Sequence, residues 1–125
     1  KKKITKKILK KAKKKKKIKL YKPFNKSNFI HAKDVANAIY KCIKSKKYGY
    51  FNLSFSKMYT IENVAKISNK LYKNKNPIKV FNNKKNDYNH FRFEINSDLA
   101  NQKLDWKAKI NLKQGLNLII NKRCE

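Results

Sequence analysis

The stretch Phe29-Ile-His-Ala-Lys-Asp-Val-Ala-Asn-Ala38 decides the local fold around it. The apolar residues at its start predict a short β-strand over Asn28–His31. Asp34 follows where a side-chain oxygen can accept hydrogen bonds from free backbone N–H groups, so we expect it to cap the next helix. Five apolar positions then recur at helical spacing and predict one buried stripe, formed by Val35, Ala38, Ile39, Cys42 and Ile43. In this stripe Cys42 is a small core residue rather than a nucleophile.

Helices and strands alternate on both sides of this stretch. Before it, apolar residues at helical spacing predict a helix over residues 2–13, and Ile18–Tyr21 has the pattern of a strand. After it, we expect strands at Tyr50–Leu53, Ile78–Phe81 and Arg92–Asn96. We also expect a helix capped by Thr60 and helices at Ser97–Lys103 and Leu112–Asn121. Asn111 and Gln114 have the spacing of a capping box for the last helix. This order predicts a mixed α/β fold with four or five helices and short strands. A chain of 125 residues is expected to hold a single core.

The charge of the chain is extreme. Its 125 residues carry 35 Lys and Arg against seven Asp and Glu, a formal net charge of +28, while 40% hydrophobic residues predict a folded core. Only Arg92 and Arg123 are arginine, the residue that nucleic-acid interfaces favour for its planar fork. The Lys surplus comes with only two Gly and two Pro, a skew typical of an A+T-rich genome. We therefore interpret much of the charge as solvated surface. Binding of a polyanion, either nucleic acid or an anionic membrane, through the Lys-rich N-terminus is the alternative.

Several kinds of site are not predicted. Cys42 and Cys124 are far apart and form no CxxC or Cys/His cluster, which argues against a metal site and favours a reduced, cytoplasmic setting. No apolar run approaches the ~18 residues that span a bilayer, and no strand leads into a glycine-rich phosphate loop. His31 and Asp34 have the residue types of an acid–base pair, but we interpret them as a strand end and a helix cap. The chain begins at Lys1 rather than Met, which fits a fragment.

Four phrases stand in a recognisable order along the chain: Phe29–Ala38, Gly49–Leu53, Tyr59–Ile67 and Leu104–Leu116. They resemble the patterns F-I-H-V-x-D-V-A-x-A, G-x-Y-N-I/L, x-S/T-I/V-x-E-x-A-x-x-I and L-G-W-x-P-K-I/V-x-L-x-E-G-L. These patterns are those of the extended short-chain dehydrogenase/reductase family, in its branch of NAD-dependent nucleotide-sugar epimerases and dehydratases. Each phrase alone is a weak signal, but the four together cover nearly the whole chain at the family's spacing.

The resemblance implies that residues 1–125 are the C-terminal, substrate-binding part of a Rossmann-type enzyme. The family's NAD(P)-binding domain, with its GxxGxxG loop and catalytic Tyr-x-x-x-Lys pair, is then expected upstream. The parent would use NAD or NADP, whereas we expect no cofactor to bind this chain alone and no catalytic residue in it. Its implied partners are a nucleotide sugar and the missing Rossmann half. Without that half the chain should be inactive.

The substrate-binding residues that the resemblance implies depart from the family pattern. The family often has Arg just before its F-I-H phrase, and this chain has Ser27 and Asn28 there. A second family phrase, R-x-G-D, corresponds to Lys84-Lys-Asn-Asp87, in which Lys can supply charge but not a bidentate fork. Lys84, Asp87 and Arg92 are therefore the candidate substrate-binding residues, with a plain solvated loop over Asn82–His90 as the alternative.

The phrase near the C-terminus also departs from the pattern. Asp105 stands where the family has Gly, and Ala108 where it has Pro. Trp106 matches the pattern, and we expect it to anchor the core rather than to form a stacking platform.

Overall fold

The computed structural model describes residues 4–81 and 92–121. Its helices and strands are α1 (Ile4–Lys13), β1 (Ile18–Leu20), β2 (Lys26–Asn28), α2 (Ala32–Ser45), β3 (Met58–Thr60), α3 (Ile61–Leu71), β4 (Ile78–Val80), β5 (Arg92–Phe93), α4 (Asp98–Leu104) and α5 (Leu112–Asn121). The mixed α/β class with five helices and short strands is confirmed, although β3 was not predicted. No helix in this described part is long and apolar enough to cross a membrane.

The chain forms two compact units rather than the single core expected from its length. The first unit combines Lys1–Lys26 with Tyr59–Arg92, and the second combines Ser27–Met58 with Phe93–Glu125. β1 and β4 form a two-stranded sheet, and a three-stranded sheet has the order β3-β2-β5. Each unit is built from two separate segments of sequence, which is why length alone did not predict the division.

In the first unit, α1 packs on α3. Both helices are amphipathic, and they bury small and branched residues: Ile8, Leu9 and Ala12 from α1, and Val64, Ala65 and Ser68 from α3. β1 and β4 run parallel, with Ile18 paired to Ile78 and Leu20 to Val80. The buried Asn74 side chain donates hydrogen bonds to the Lys16 carbonyl (3.1 Å) and to Asn69 Oδ1 (2.9 Å). These bonds tie the turn after α1 to the turn after α3.

In the second unit, the core forms around Trp106. Its buried members are Ala38, Ala100, Leu104, Trp106 and Ala108, and the partly buried residues packed against them are Ile30, Cys42, Phe51, Leu53 and Phe55. The predicted roles of Trp106 as a packing anchor and of Cys42 as a core-contacting residue are confirmed.

The N-terminus of α2 differs from the prediction. His31, not Asp34, is the N-cap, and its Nδ1 accepts a hydrogen bond from the Lys33 N–H (3.1 Å). Asp34 is buried, and its two carboxylate oxygens accept from the backbone N–H groups of Lys109 (3.2 Å) and Ile110 (3.0 Å). The prediction that Asp34 caps α2 is therefore wrong, because a distant segment uses both of its oxygens. Since His31 and Asp34 each serve backbone groups, they do not form an acid–base pair with each other.

Two capping predictions are confirmed. Thr60 caps α3 in a reciprocal box with Asn63 (both hydrogen bonds 3.0 Å). Asn111 and Gln114 form the predicted box at α5 (3.0 and 2.9 Å). Each box lies within four consecutive residues, so local sequence was sufficient to predict the Thr60 cap and the Asn111–Gln114 box, although the return bond of Asn63 was not predicted.

None of the five predicted strands has its predicted bounds: β1 and β4 end one residue earlier, and the other three differ more. The strand expected at Asn28–His31 is β2, which lies earlier in the sequence. Asn28 is its last residue, and the Asn28 side chain forms two hydrogen bonds. Its Nδ2 donates to the Phe55 carbonyl (2.8 Å), and its Oδ1 accepts from the Ile95 N–H (2.9 Å). β5 ends at Phe93, two residues before Ile95. Tyr50–Leu53 belongs to no strand.

The predicted buried stripe of α2 is only half buried. Ala38 is fully buried and Val35 and Cys42 are half-buried, but Ile39 and Ile43 are exposed. The prediction is wrong for these two isoleucines, because the part of the chain that the structure describes leaves their side of the helix uncovered.

Candidate functional site

The carboxyl edge of the parallel sheet in the first unit is the candidate functional site. β1 and β4 run parallel, so both strands end at the same edge. In α/β proteins, ligands bind outside the carboxyl ends of parallel strands. The two strands and their next residues have one pattern, Ile18-Lys-Leu-Tyr21 and Ile78-Lys-Val-Phe81, so an aromatic residue follows each strand. The Phe81 N–H donates to the Leu20 carbonyl (2.9 Å), which extends the ladder by one residue at this edge.

The two aromatic rings stack on each other. Their centroids are 5.1 Å apart and their planes are inclined by 16°. Tyr21 is largely exposed and Phe81 is half-buried, so the rings form an aromatic platform that solvent can reach. A planar base can stack on such a platform, which contributes about 1–3 kcal/mol per base in single-strand-binding proteins.

Lysines flank this platform. The Lys79 Nζ lies 5.2 Å from the centre of the Phe81 ring, within the range of a cation–π contact. Lys19 pairs with Lys79 across the two strands, and both side chains are exposed. A flat apolar ring beside the Lys79 ammonium group has the chemistry to hold a planar base and a phosphate together.

The structure describes one of the three predicted substrate-binding residues. Arg92 opens β5 and is exposed, in the same unit as the platform. Lys84 and Asp87 lie outside the described residues, and their role stays a prediction. The segment that carries them follows Phe81 directly, at the carboxyl end of β4.

Tyr21 and Phe81 were not predicted as site residues. Both were expected at strand ends, whereas β1 and β4 stop one residue earlier. The signal that could have found them is the repeated pattern Ile-Lys-aliphatic-aromatic, which places like residues at like positions of two strands.

The described residues offer no metal-binding cluster and no supported catalytic pair. Over residues 4–81 and 92–121, no group of three or more His, Cys, Asp and Glu side chains lies close enough to hold a metal ion. One Tyr-x-x-x-Lys string occurs, from Tyr40 to Lys44. It directly follows the Phe29–Ala38 phrase, and both side chains are exposed on α2. Because no glycine-rich phosphate loop occurs in the 125 residues, we assign this string no catalytic role.

Comparison with known proteins decides the family. The model of the family described as GDP-mannose 4,6 dehydratase matches residues 1–119. The chain belongs to the GDP-mannose 4,6-dehydratase family. The resemblance to NAD-dependent nucleotide-sugar epimerases and dehydratases is thereby confirmed. No curated protein matches this chain.

Solved structures share the fold of this GDP-mannose 4,6-dehydratase family chain. UDP-N-acetylglucosamine 4-epimerase from Bacillus cereus is 23% identical, with a TM-score of 0.85, and the match covers 100% of this chain and 44% of that one. The Bordetella bronchiseptica enzyme WbmF, solved with NAD+ and UDP, is 21% identical, with a TM-score of 0.81 and coverage of 95% and 35%. dTDP-glucose 4,6-dehydratase from Bacillus anthracis, solved with NAD, is 23% identical, with a TM-score of 0.77 and coverage of 95% and 38%. The chain thus spans less than half the length of these proteins.

Proposed function

We propose that this chain is the substrate-binding part of an NAD(P)-dependent nucleotide-sugar epimerase or dehydratase, and that it is inactive without an N-terminal cofactor-binding Rossmann half. The observation that carries the proposal is the exposed Tyr21–Phe81 stack with Lys79 at the carboxyl edge of the β1–β4 sheet. Family membership supports it, because nucleotide sugars combine a planar base, a diphosphate and a sugar. The free Cys42 thiol is compatible with a cytoplasmic location.

The proposed roles follow from the chemistry of each group. The base stacks on the Tyr21 ring, and Lys79 neutralises the phosphate next to it. Lys84 and Arg92 add positive charge for the diphosphate, and Asp87 accepts hydrogen bonds from hydroxyl groups of the substrate. NAD or NADP, which accepts and returns hydride, binds to the N-terminal half.

Sequence upstream of Lys1 and the activity of the longer protein test this proposal. The upstream reading frame should encode a GxxGxxG strand-loop-helix and a further Tyr-x-x-x-Lys pair over about 200 residues, the scale of one domain. The purified longer protein, supplied with NAD, should convert at least one of UDP-N-acetylglucosamine, UDP-glucose, dTDP-glucose and GDP-mannose. The present chain alone should convert none. Absence of the upstream motifs, or turnover by the chain alone, would contradict the proposal.

Substitution of Tyr21 tests the platform itself. Tyr21→Ala removes the exposed ring, and we expect the KM for the nucleotide sugar to rise about tenfold, which corresponds to roughly 1.4 kcal/mol of lost stacking. Tyr21→Phe is the matched control, because it keeps the ring and removes only the hydroxyl. Its KM should stay within about twofold of the original. Equal effects of the two substitutions would show that stacking is not what Tyr21 contributes.

Polyanion binding is a second candidate function, and the basic surface of α1 is the observation that favours it. Five lysines of α1 are exposed: Lys6, Lys7, Lys10, Lys11 and Lys13. The two ion pairs among the described residues, Lys41–Asp105 and Lys66–Glu62, leave α1 without an acidic partner there. The apolar stripe of α1 packs on α3, which favours phosphate binding over insertion into a membrane. The affinity for duplex DNA, measured between 50 and 200 mM salt, should then fall steeply and linearly on log–log axes, and no binding at 50 mM salt would exclude this function.

A further inference from the structure

The positive charge is concentrated in the first unit. That unit contains 23 Lys and Arg against two Asp and Glu, a net charge of +21. The second unit, of similar length, contains 12 against five, a net charge of +7. A compositional bias of the genome acts on the whole chain and would load both units alike. Since clustered like charges repel each other and destabilise a compact unit, the excess on the first unit indicates a role in binding an anion.

Four consecutive lysines, Lys14–Lys17, connect α1 to β1, and we call them the basic turn. All four are exposed, and neither ion pair among the described residues involves them. Neutral side chains fix the backbone of this turn: Asn74 Nδ2 donates to the Lys16 carbonyl (3.1 Å), and Asn76 Nδ2 donates to the Lys15 carbonyl (2.7 Å). The basic turn therefore presents positive charge from a backbone that is already ordered, which lowers the entropic cost of binding an anion there.

A second set of lysines lies on the exposed face of the β1–β4 sheet. Lys19 and Lys79 are exposed and paired in register, and the aromatic platform follows them along the two strands. Side chains alternate between the faces of a strand, so Lys19 shares a face with Tyr21, and Lys79 with Phe81. One face of the sheet thus carries two lysines and two stacked rings. Proteins that bind single-stranded nucleic acids combine positive charge with aromatic rings in this way.

We propose that the first unit binds a single-stranded nucleic acid. An unpaired base stacks on the Tyr21–Phe81 platform, and the neighbouring phosphates lie on the lysines of the sheet face and of the basic turn. The proposal rests on the polyanion-binding function, and it names the polyanion and the residues that hold it.

The distance between the two sets of lysines favours a ligand longer than one nucleotide. At a rise of about 3.3 Å per residue, Lys17 before β1 lies about 13 Å from Tyr21 after it. Each nucleotide of a stacked strand advances about 3.4 Å, so roughly four nucleotides cover this length. The single diphosphate of a nucleotide sugar cannot neutralise lysines at both ends of β1.

The exposed rings favour a single strand over other polyanions. The bases of a duplex are paired and stacked on each other, so they offer no free face to the platform, whereas every unpaired base has one. An anionic membrane would use an apolar helix face, and the apolar stripe of α1 is already packed on α3. The Tyr21 ring, in contrast, is 70% exposed.

Binding of labelled 12-nucleotide strands to the chain, measured by fluorescence anisotropy at 50 mM salt, tests the proposal. Oligouridine RNA and oligothymidine DNA should each bind at least tenfold more tightly than a DNA duplex of the same length. A stronger affinity for the RNA would identify RNA as the ligand, and equal affinities would indicate contacts to the base and phosphate that both share. A duplex that binds as tightly as the single strands would overturn the proposal.

Substitution of Tyr21 separates stacking from general attraction of charge. Tyr21→Ala should weaken binding of the single strands at least fivefold, and Tyr21→Phe should change it by less than twofold. Tyr48→Ala is the matched control, because Tyr48 is a 91% exposed tyrosine of the second unit, and it should also change binding by less than twofold. Far-UV circular dichroism checks that each variant is folded. Equal effects of Tyr21→Ala and Tyr48→Ala would contradict the proposal.

The salt dependence of binding tests the lysines. For single strands, the slope of log K against log salt is about −0.7 per phosphate contact, so four or more contacts predict a slope of about −2.8 or steeper. Lys14→Gln/Lys17→Gln removes two charges of the basic turn and should make the slope shallower by about 1.4. Lys44→Gln/Lys113→Gln removes two exposed charges of the second unit and should leave the slope unchanged. Equal changes of slope in the two double variants would refute the role of the basic turn.

The proposal and the proposed functions can fail separately. If single strands bind through Tyr21 but the longer protein turns over no nucleotide sugar, nucleic-acid binding stands and the enzymatic function is wrong. If the longer protein turns over a nucleotide sugar and no oligonucleotide binds at 50 mM salt, the reverse holds. If single strands and duplex bind alike and Tyr21→Ala has no effect, polyanion binding stands and the single-strand proposal is wrong.

Discussion

Replacement of Asp34 should destabilise the second unit strongly, because this carboxylate holds a distant segment of chain in place. Its oxygens accept from the backbone N–H groups of Lys109 (3.2 Å) and Ile110 (3.0 Å). Hydrogen bonds to a charged acceptor contribute about 1.5–3 kcal/mol each. Both N–H groups are partly buried, so Asp34→Ala leaves them only partly hydrated, and we expect a loss of about 3–5 kcal/mol in the free energy of unfolding.

Urea unfolding followed by tryptophan fluorescence measures this effect. Trp106 is the only tryptophan of the chain and lies in the core of the second unit, so its emission reports on that unit. Asp34→Asn keeps the shape but offers one accepting oxygen, so we expect about half the loss of Asp34→Ala. Asp105→Asn is the control, because the Asp105 side chain is fully exposed, and it should change the free energy by less than about 0.5 kcal/mol. A loss below about 1 kcal/mol for Asp34→Ala would refute the role of Asp34 in holding Lys109 and Ile110 in place.

Two further predictions concern backbone geometry, and the same urea assay measures both. Gly115→Ala should lower the free energy of unfolding by about 1 kcal/mol. The new Cβ would lie 3.1 Å from Cδ2 of the N-cap residue His31, and this overpacking outweighs the helix propensity gained. An increase in the free energy of unfolding would show that the His31 side chain moves aside freely. Lys46→Gly should raise the free energy of unfolding by about 0.5–1 kcal/mol. Lys46 is the C-cap of α2 at φ +50°, a conformation that costs L-residues roughly 1–2 kcal/mol and that glycine adopts freely. The flexibility of glycine in the unfolded chain offsets part of this gain. Lys44→Gly, inside α2, should lower it by about 1 kcal/mol, and a gain there would contradict this account of Lys46.

Features set by neighbouring residues could be predicted from the sequence. The five helices, the bounds of α5 and the Asn111–Gln114 capping box depend on residues within a few positions of each other. Hydrophobic periodicity reports which face of a helix is apolar, and capping reports where the helix begins. Both signals are contained in the local sequence, so they survive the unusual Lys-rich composition.

Features that join distant residues could not be predicted in this way. Asp34 bonds to residues more than 70 positions away, and local sequence favours the cap that it does not form. The Tyr21–Phe81 platform likewise depends on the parallel register of β1 and β4, which are 60 residues apart. The sequence shows the same tetrapeptide pattern at both strands, but only pairing brings their aromatic ends into contact.

Two incorrect predictions have a common cause. The sequence predicted burial for Ile39 and Ile43 and a strand at Tyr50–Leu53, and the structure leaves the isoleucines exposed and the segment unpaired. A local sequence pattern predicts a strand or a buried stripe, but either one forms only when another segment pairs with it or packs on it. Both failures fall on one short stretch of the second unit, whereas the patterns around its core were realised. Both failures therefore have one physical cause, the lack of a neighbour among the described residues.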